Sequence, residues 1–240
     1  MTDITPELIN DVRKEFDRLY GESRTVKSTS NRIRDGTINY KHATRFALEL
    51  GNLLAKAFNL KVGSDRLPEG RMFYNIGVKL LDEFVGANYE LASAVAVAAQ
   101  DRLNAVAGYG FGGKKPDYNR DRVVNLASKI AEYDNFDDAA WLLGEPVINL
   151  TRSVVVDTIK VNADMLRDLG MRVSVIRSAE RGACKYCAGL EGEFEYGLQP
   201  ADFFKQHEHC RCMIDFDPRN ITGRRKTFNN AAGEKQTVIE

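Results

Sequence analysis

Apolar residues recur at helical spacing through the first two-thirds of the chain, then give way to short alternating stretches. Leu8, Val12, Phe16 and Leu19 trace one face of a first helix, with Thr5 as N-cap and Pro6 at the first helical position. A second helix reads from about Tyr40 to Phe58, with Ala43, Phe46, Ala47, Leu50, Leu53, Leu54 and Ala57 on its inner face. Between them, residues 21–39 are polar, slightly basic and without periodicity, so they read as a loop or arm. Met72–Val85 and Ala87–Ala107 read as two helices bending at Gly86. Helix returns at Tyr118–Tyr133, briefly at Phe136–Leu143, and then over Pro146–Leu169. Val147, Leu150, Val154, Thr158, Ile159, Met165 and Leu169 trace the inner face of the last one, and Gly170 stands at its C-terminal cap.

The pattern changes at Met171. "MRVSVIRS" alternates and is β-branched, which predicts a strand. "GEFEYG" and "CMIDFD" are two further strand candidates, and "PADFFKQH" reads as a short helix from Pro200. The expected fold class is α+β: a mainly helical body over 1–170, a small cysteine- and histidine-rich module with a short antiparallel sheet over 171–218, and a polar, basic tail over 219–240. The tail is expected to be extended, or to order on a partner.

All four cysteines lie in the module: Cys184, Cys187, Cys210 and Cys212. His207 and His209 stand among them. The spacing is C-x2-C, 22 residues, then C-x-C. Two ligand pairs on two tight turns are what a tetrahedral zinc ion takes. Cys184 and Cys187 form one pair in a glycine-flanked turn, "GACKYCAG". The second comes from His207, His209, Cys210 and Cys212, as His207 with Cys210, His207 with Cys212, or both late cysteines, with His209 as a further candidate. Competing readings are unrelated buried thiols, a disulfide, a redox C-x-x-C, and an open catalytic zinc site with Glu208 as base. The redox motif belongs at the start of a helix in a βαβ unit, whereas this one runs into a hairpin. The chain offers enough ligands to close a shell, and closed shells are structural. Such a site stands in for the core that so short a module cannot build.

Charge and composition narrow the classes. Lysine plus arginine and aspartate plus glutamate both number 34, which argues against a dedicated nucleic-acid binder. The N-terminus lacks a basic stretch leading into an apolar core, so no signal peptide is expected. No apolar run approaches the roughly 20 residues of a membrane span. A reducing cytoplasm is the expected compartment, where clustered cysteines favour metal over disulfides. "GYGFGGKK" fits G-x4-G-K at Gly108, Gly113 and Lys114, but Lys115 replaces the required Ser/Thr and no strand precedes it, so it reads as a loop. His42 reads as a solvated residue, and Asp134, Asp137 and Asp138 as charges at a helix N-terminus.

The order Val173–Arg177 strand, Cys184/Cys187, Leu190-Glu191-Gly192, Ala201–Gln206, His207/Cys210-Arg211-Cys212 and Met213–Phe216 strand resembles the C-terminal domain of the Mu F-like minor head proteins of tailed phages, the phage head morphogenesis family. The family's cysteines fall on Cys184, Cys187, Cys210 and Cys212, its histidine on His207 and its arginine on Arg211. The family usually has Pro-Asn where this chain has Glu208-His209. The resemblance implies a non-enzymatic virion protein, present in multiple copies in the capsid interior or at the portal vertex, and in the host cytoplasm during assembly. The implied partners are the portal and/or major capsid protein, with packaged DNA reached through Arg224, Arg225 and Lys226. The expected metal ligands are Cys184, Cys187, His207, Cys210 and Cys212, around a structural zinc. The alternatives are an intracellular zinc-knuckle nucleic-acid-binding protein and an HNH-like or zinc hydrolase.

Overall fold

The computed structural model describes residues 3–180, 182–207, 210–219, 225–229 and 235–239, the last two segments as backbone alone. Helix α1 spans Thr5–Glu22, α2 Arg24–Arg34, α3 Tyr40–Lys61, α4 Tyr74–Ala107, α5 Arg120–Ala131, α6 Phe136–Ala139 and α7 Glu145–Asp168. Strand β1 (Ser174–Ser178), helix α8 (Lys185–Gly189), and strands β2 (Gly192–Glu195) and β3 (Met213–Asp217) follow. Strands β4 (Arg225–Asn229) and β5 (Lys235–Ile239) pair as an antiparallel ribbon. The α+β class stands. No helix among the described residues is long and apolar enough to cross a membrane.

Helices α3 and α7 form the central pair, with α4 against both, α1 against α3, and α5 against α4. Their crossing is close because Gly51 has no side chain: a Cβ there would lie 2.7 Å from the Ile148 Cα. Leu50, Leu54, Ala57, Leu80, Leu81, Val147 and Ile159 fill the centre. A polar seam crosses it. The Tyr40 hydroxyl donates to Gln100 Oε1 at 2.6 Å, and Gln100 Nε2 donates to Asn104 Oδ1 at 2.7 Å.

Four boundary expectations change. Residues 21–39 hold α2 rather than an arm: Ser23 caps it by accepting from the Val26 amide, and Val26 and Thr29 supply the small buried face. Helix α4 runs unbroken through Gly86, because a helical glycine costs only about 1 kcal/mol and packing outweighs it. Residues 201–204 form turns rather than a helix. At the N-terminus, helix α1 begins on Thr5, whose amide donates to the Asp3 carboxylate at 3.0 Å. The Gly108–Lys115 loop holds no phosphate cradle. The Gly113 amide donates to Asp101, and Asn162 clamps the Lys114 backbone in both directions.

The sheet has the order β2-β1-β3 and is antiparallel throughout. Register sets Val175 between Phe194 and Phe216, and Arg177 opposite Ile214. The inward face of β1 therefore carries Val175 and Arg177. Strand β3 lies on α3 and α7, where the Phe216 ring meets Tyr40 edge to face at 6.5 Å. Val175, Phe203, Ile214 and Phe216 join the same apolar cluster as the helices.

Candidate metal centre

Two turns bring the sulfurs together. Cys184 N-caps α8, its Sγ accepting from the Cys187 amide at 3.5 Å. The expected plain turn is therefore one turn of helix, closed by that amide–sulfur bond. The redox reading gains nothing from this, because the flanking β1 and β2 are antiparallel neighbours rather than parts of a βαβ unit. The second turn closes where the Cys210 amide donates to the His207 carbonyl at 3.1 Å. Cys187, Cys210 and Cys212 are buried, and Cys184 and His207 face solvent.

Two triads of ligand atoms result, Cys184–Cys187–His207 and Cys187–Cys210–Cys212, sharing Cys187. The Cys187 and Cys210 sulfurs lie 3.7 Å apart. His207 Nε2 lies 3.0 Å from the Cys187 sulfur and 3.4 Å from that of Cys184. Bonds of about 2.3 Å to sulfur and about 2.0 Å to nitrogen would set tetrahedral edges of about 3.8 and 3.5 Å. The cluster is close to those spacings, and these groups can hold a metal ion. None of the four cysteines forms a disulfide. Glu208, His209 and Arg224 lie outside the described residues, as do the side chains of Arg225 and Lys226.

The metal-free thiols differ sharply. Burial, then the neighbouring Cys212 and Cys210 thiols, push Cys187 up to about 12. Burial also opposes the Cys210 thiolate, but the Arg152 hydrogen bond and the Cys212 amide outweigh it and bring Cys210 down to about 6. The Cys187 amide, above all, lowers Cys184.

Two arginines missing from the sequence-derived set form the back wall. Arg152 stands on α7 and is fully buried. Its Nη1 donates to the Cys210 carbonyl, and its Nη2 to the Cys212 carbonyl at 3.1 Å and the Cys210 sulfur at 3.6 Å. The Gln206 amide, turned with its oxygen inward, accepts from Nη2 and Nε at 3.2 and 3.1 Å. Arg177 on β1 is 1% exposed. It donates to the Phe203 and Lys205 carbonyls, and to the Cys187 sulfur at 3.6 Å. These carbonyls bend residues 201–206 around the guanidinium, which is why that stretch turns instead of coiling. Arg211 joins Glu145, the first residue of α7, at 3.2 Å.

Both buried arginines left a trace in the pattern. Arg152 falls on the stripe Ile148, Val155, Ile159, and Arg177 on the inward phase Val173, Val175. A cation on a buried phase needs an anion or a full set of acceptors there.

Comparison with protein-family models, with curated proteins and with solved structures gives no match.

Proposed function

We propose that this chain is a non-enzymatic minor head protein of a tailed phage. Its helical body docks on portal or capsid, and its C-terminal module is held by a structural zinc. The observation that carries the reading is the ordered set β1, C-x-x-C, β2, H-x-x-C-R-C, β3, whose ligand atoms gather in two triads that share Cys187. Support for a structural rather than catalytic ion comes from the back of the site. It is sealed by Arg152 and Arg177, and among the described residues five donors compete for four positions. Zinc suits the donor set because it takes thiolate and imidazole in a tetrahedron. Mass spectrometry of purified particles of the encoding phage should find the chain at a fixed copy number beside portal and major capsid proteins. Particles without it would sink the head assignment. Metal analysis should return about one zinc per chain.

A second reading, nucleic-acid binding, is favoured by one surface. Arg24, Lys27, Arg34, Lys41 and Arg45 are exposed along α2 and the start of α3, with Asp35 as the acid among them. His42, expected to be solvated, is half-buried there, with its Nδ1 fully enclosed. Burial, and then Arg32, Arg45 and Arg102, hold it below its ordinary value. Those cations therefore stand close together. Binding to generic DNA that weakens steeply with salt, and that is lost in an R34A/R45A double variant, would favour this reading.

A further inference from the structure

We propose that Arg152 and Arg177 are the fixed counter-charge of a dianionic centre, in which Cys184, Cys187, Cys210 and Cys212 hold one divalent cation as thiolates and His207 is a hydrogen-bond donor outside the shell. The inference rests on the metal reading above and adds the ligand set and its charge.

The starting point is an imbalance. Arginine stays protonated in proteins, so both buried guanidiniums carry their charge into the interior. A buried charge without an opposite charge is strongly disfavoured. Among the described residues, neither Arg152 nor Arg177 has a carboxylate partner. Their acceptors are backbone carbonyls, the Gln206 amide and two sulfurs, each 3.6 Å from a guanidinium nitrogen. Only the sulfurs can become anions.

Charge arithmetic then separates the possible shells. Four thiolates around a divalent cation sum to minus two, and two guanidiniums restore neutrality. Three thiolates and a neutral histidine sum to minus one and leave one buried positive charge over. Four neutral thiols leave two. Only the all-sulfur shell closes the balance.

Geometry supports the split. Cys187, Cys210 and Cys212 form the buried triad against the arginines. Among the described residues the fourth position falls to Cys184 or His207, both exposed and both joined to the triad through Cys187. The Cys184 sulfur already accepts an amide hydrogen bond, as a metal-bound thiolate does. His207 Nε2 stands within donor reach of both Cys184 and Cys187. From the solvent side it supplies the thiolates with the same kind of N–H contact that the arginines supply from within. Metal binding requires each thiol to release its proton to solvent as its sulfur bonds the cation. No electron changes hands.

X-ray absorption on the full chain loaded with Zn²⁺ decides the ligand set without any variant. The expected spectrum shows sulfur scatterers alone. A mixed shell with one nitrogen overturns the inference and leaves the metal reading intact. A chain that takes up no Zn²⁺ overturns both. Among variants, H207A should keep about one zinc per chain, whereas C184S should lose affinity. R152M and R177M should each bind Zn²⁺ about 10- to 100-fold more weakly in chelator competition, with partial recovery in R152K. Wild-type affinity in both arginine variants would overturn the counter-charge role. If R152M fails to fold, R177M and the shift of the thiolate-to-metal charge-transfer band in Co²⁺-loaded R177M carry the test, and an unshifted band counts against the proposal.

Discussion

The helical body and the cysteine module solve the problem of an interior in opposite ways. Where α3 crosses α7, the inside is mostly hydrocarbon with a neutral, hydrogen-bonded polar seam, brought into contact by a missing side chain, Gly51 against Ile148. Behind β1 and β3 the inside holds two guanidiniums, three buried thiols and a set of backbone carbonyls. The first interior depends on shape and tolerates neither voids nor excess atoms. The second depends on charge, and it is complete only when its anions are formed. The two meet at Phe216, which belongs to the module's strand and packs on Tyr40 of the body. Stability should therefore respond to volume on one side of Phe216 and to metal on the other.

Perturbations of decreasing size test that division. The largest effect is expected from Cys187→Ser, because Cys187 belongs to both triads. Zinc content should fall from about one per chain to nearly none, and Cys210 and Cys212 should become reactive to a thiol reagent. The far-UV helical signal should stay close to wild type. Collapse of the helices as well would mean that the two interiors are one. Next comes Phe216→Ala at the junction, with an expected cost of about 3–5 kcal/mol. Thermal unfolding and zinc affinity should both suffer, and a change in only one would move the border elsewhere. Gly51→Ala should follow at about 1–3 kcal/mol, since its Cβ meets helix backbone. At about 2–4 °C per kcal/mol the melting temperature drops by several degrees, while zinc content should not change.

The smallest effect concerns acid. The neighbouring Thr5 side chain and amide, and then Lys79, hold Asp3 down to about 2, below its ordinary 3.8. A carboxylate depressed in the folded state stabilises it above the unfolded value, and that contribution is lost as pH falls from about 4 through about 2. Asp3→Asn should flatten the acid slope in that window, lowering the melting temperature slightly near neutrality and converging on wild type below about pH 2. A wild-type acid slope in the variant would remove Asp3 from the account.

The same contrast explains what could be read from residues alone. Strong periodicity exposed the long helices, since Leu8, Val12, Phe16 and Leu19 bury the faces that their spacing announces. Helix α2 was hidden because two buried positions, Val26 and Thr29, make too faint a stripe among charges. A glycine inside α4 suggested a bend that tertiary packing overrode. The donors of the centre were visible because cysteine and histidine are rare and were clustered. Their arginine backing was not, for Arg152 stands 58 residues before Cys210. Only folding shows that a helix face and a ligand loop share one wall. The head-protein reading rests on residues 173–216 and stays a proposal.

That separation also bears on how the chain is made. Synthesis runs from the N-terminus, so α7 leaves the ribosome well before residues 203–216 that cover it. Until they arrive, Arg152 on α7 lacks the Cys210 and Cys212 carbonyls that accept from it in the finished fold. At about 5–20 residues per second, those 58 residues take several seconds. During that interval a buried-phase cation stands without most of its acceptors. A chain stopped at residue 170 would hold that state indefinitely, and its solubility relative to the full chain is the simplest gauge of how much the late segment shields.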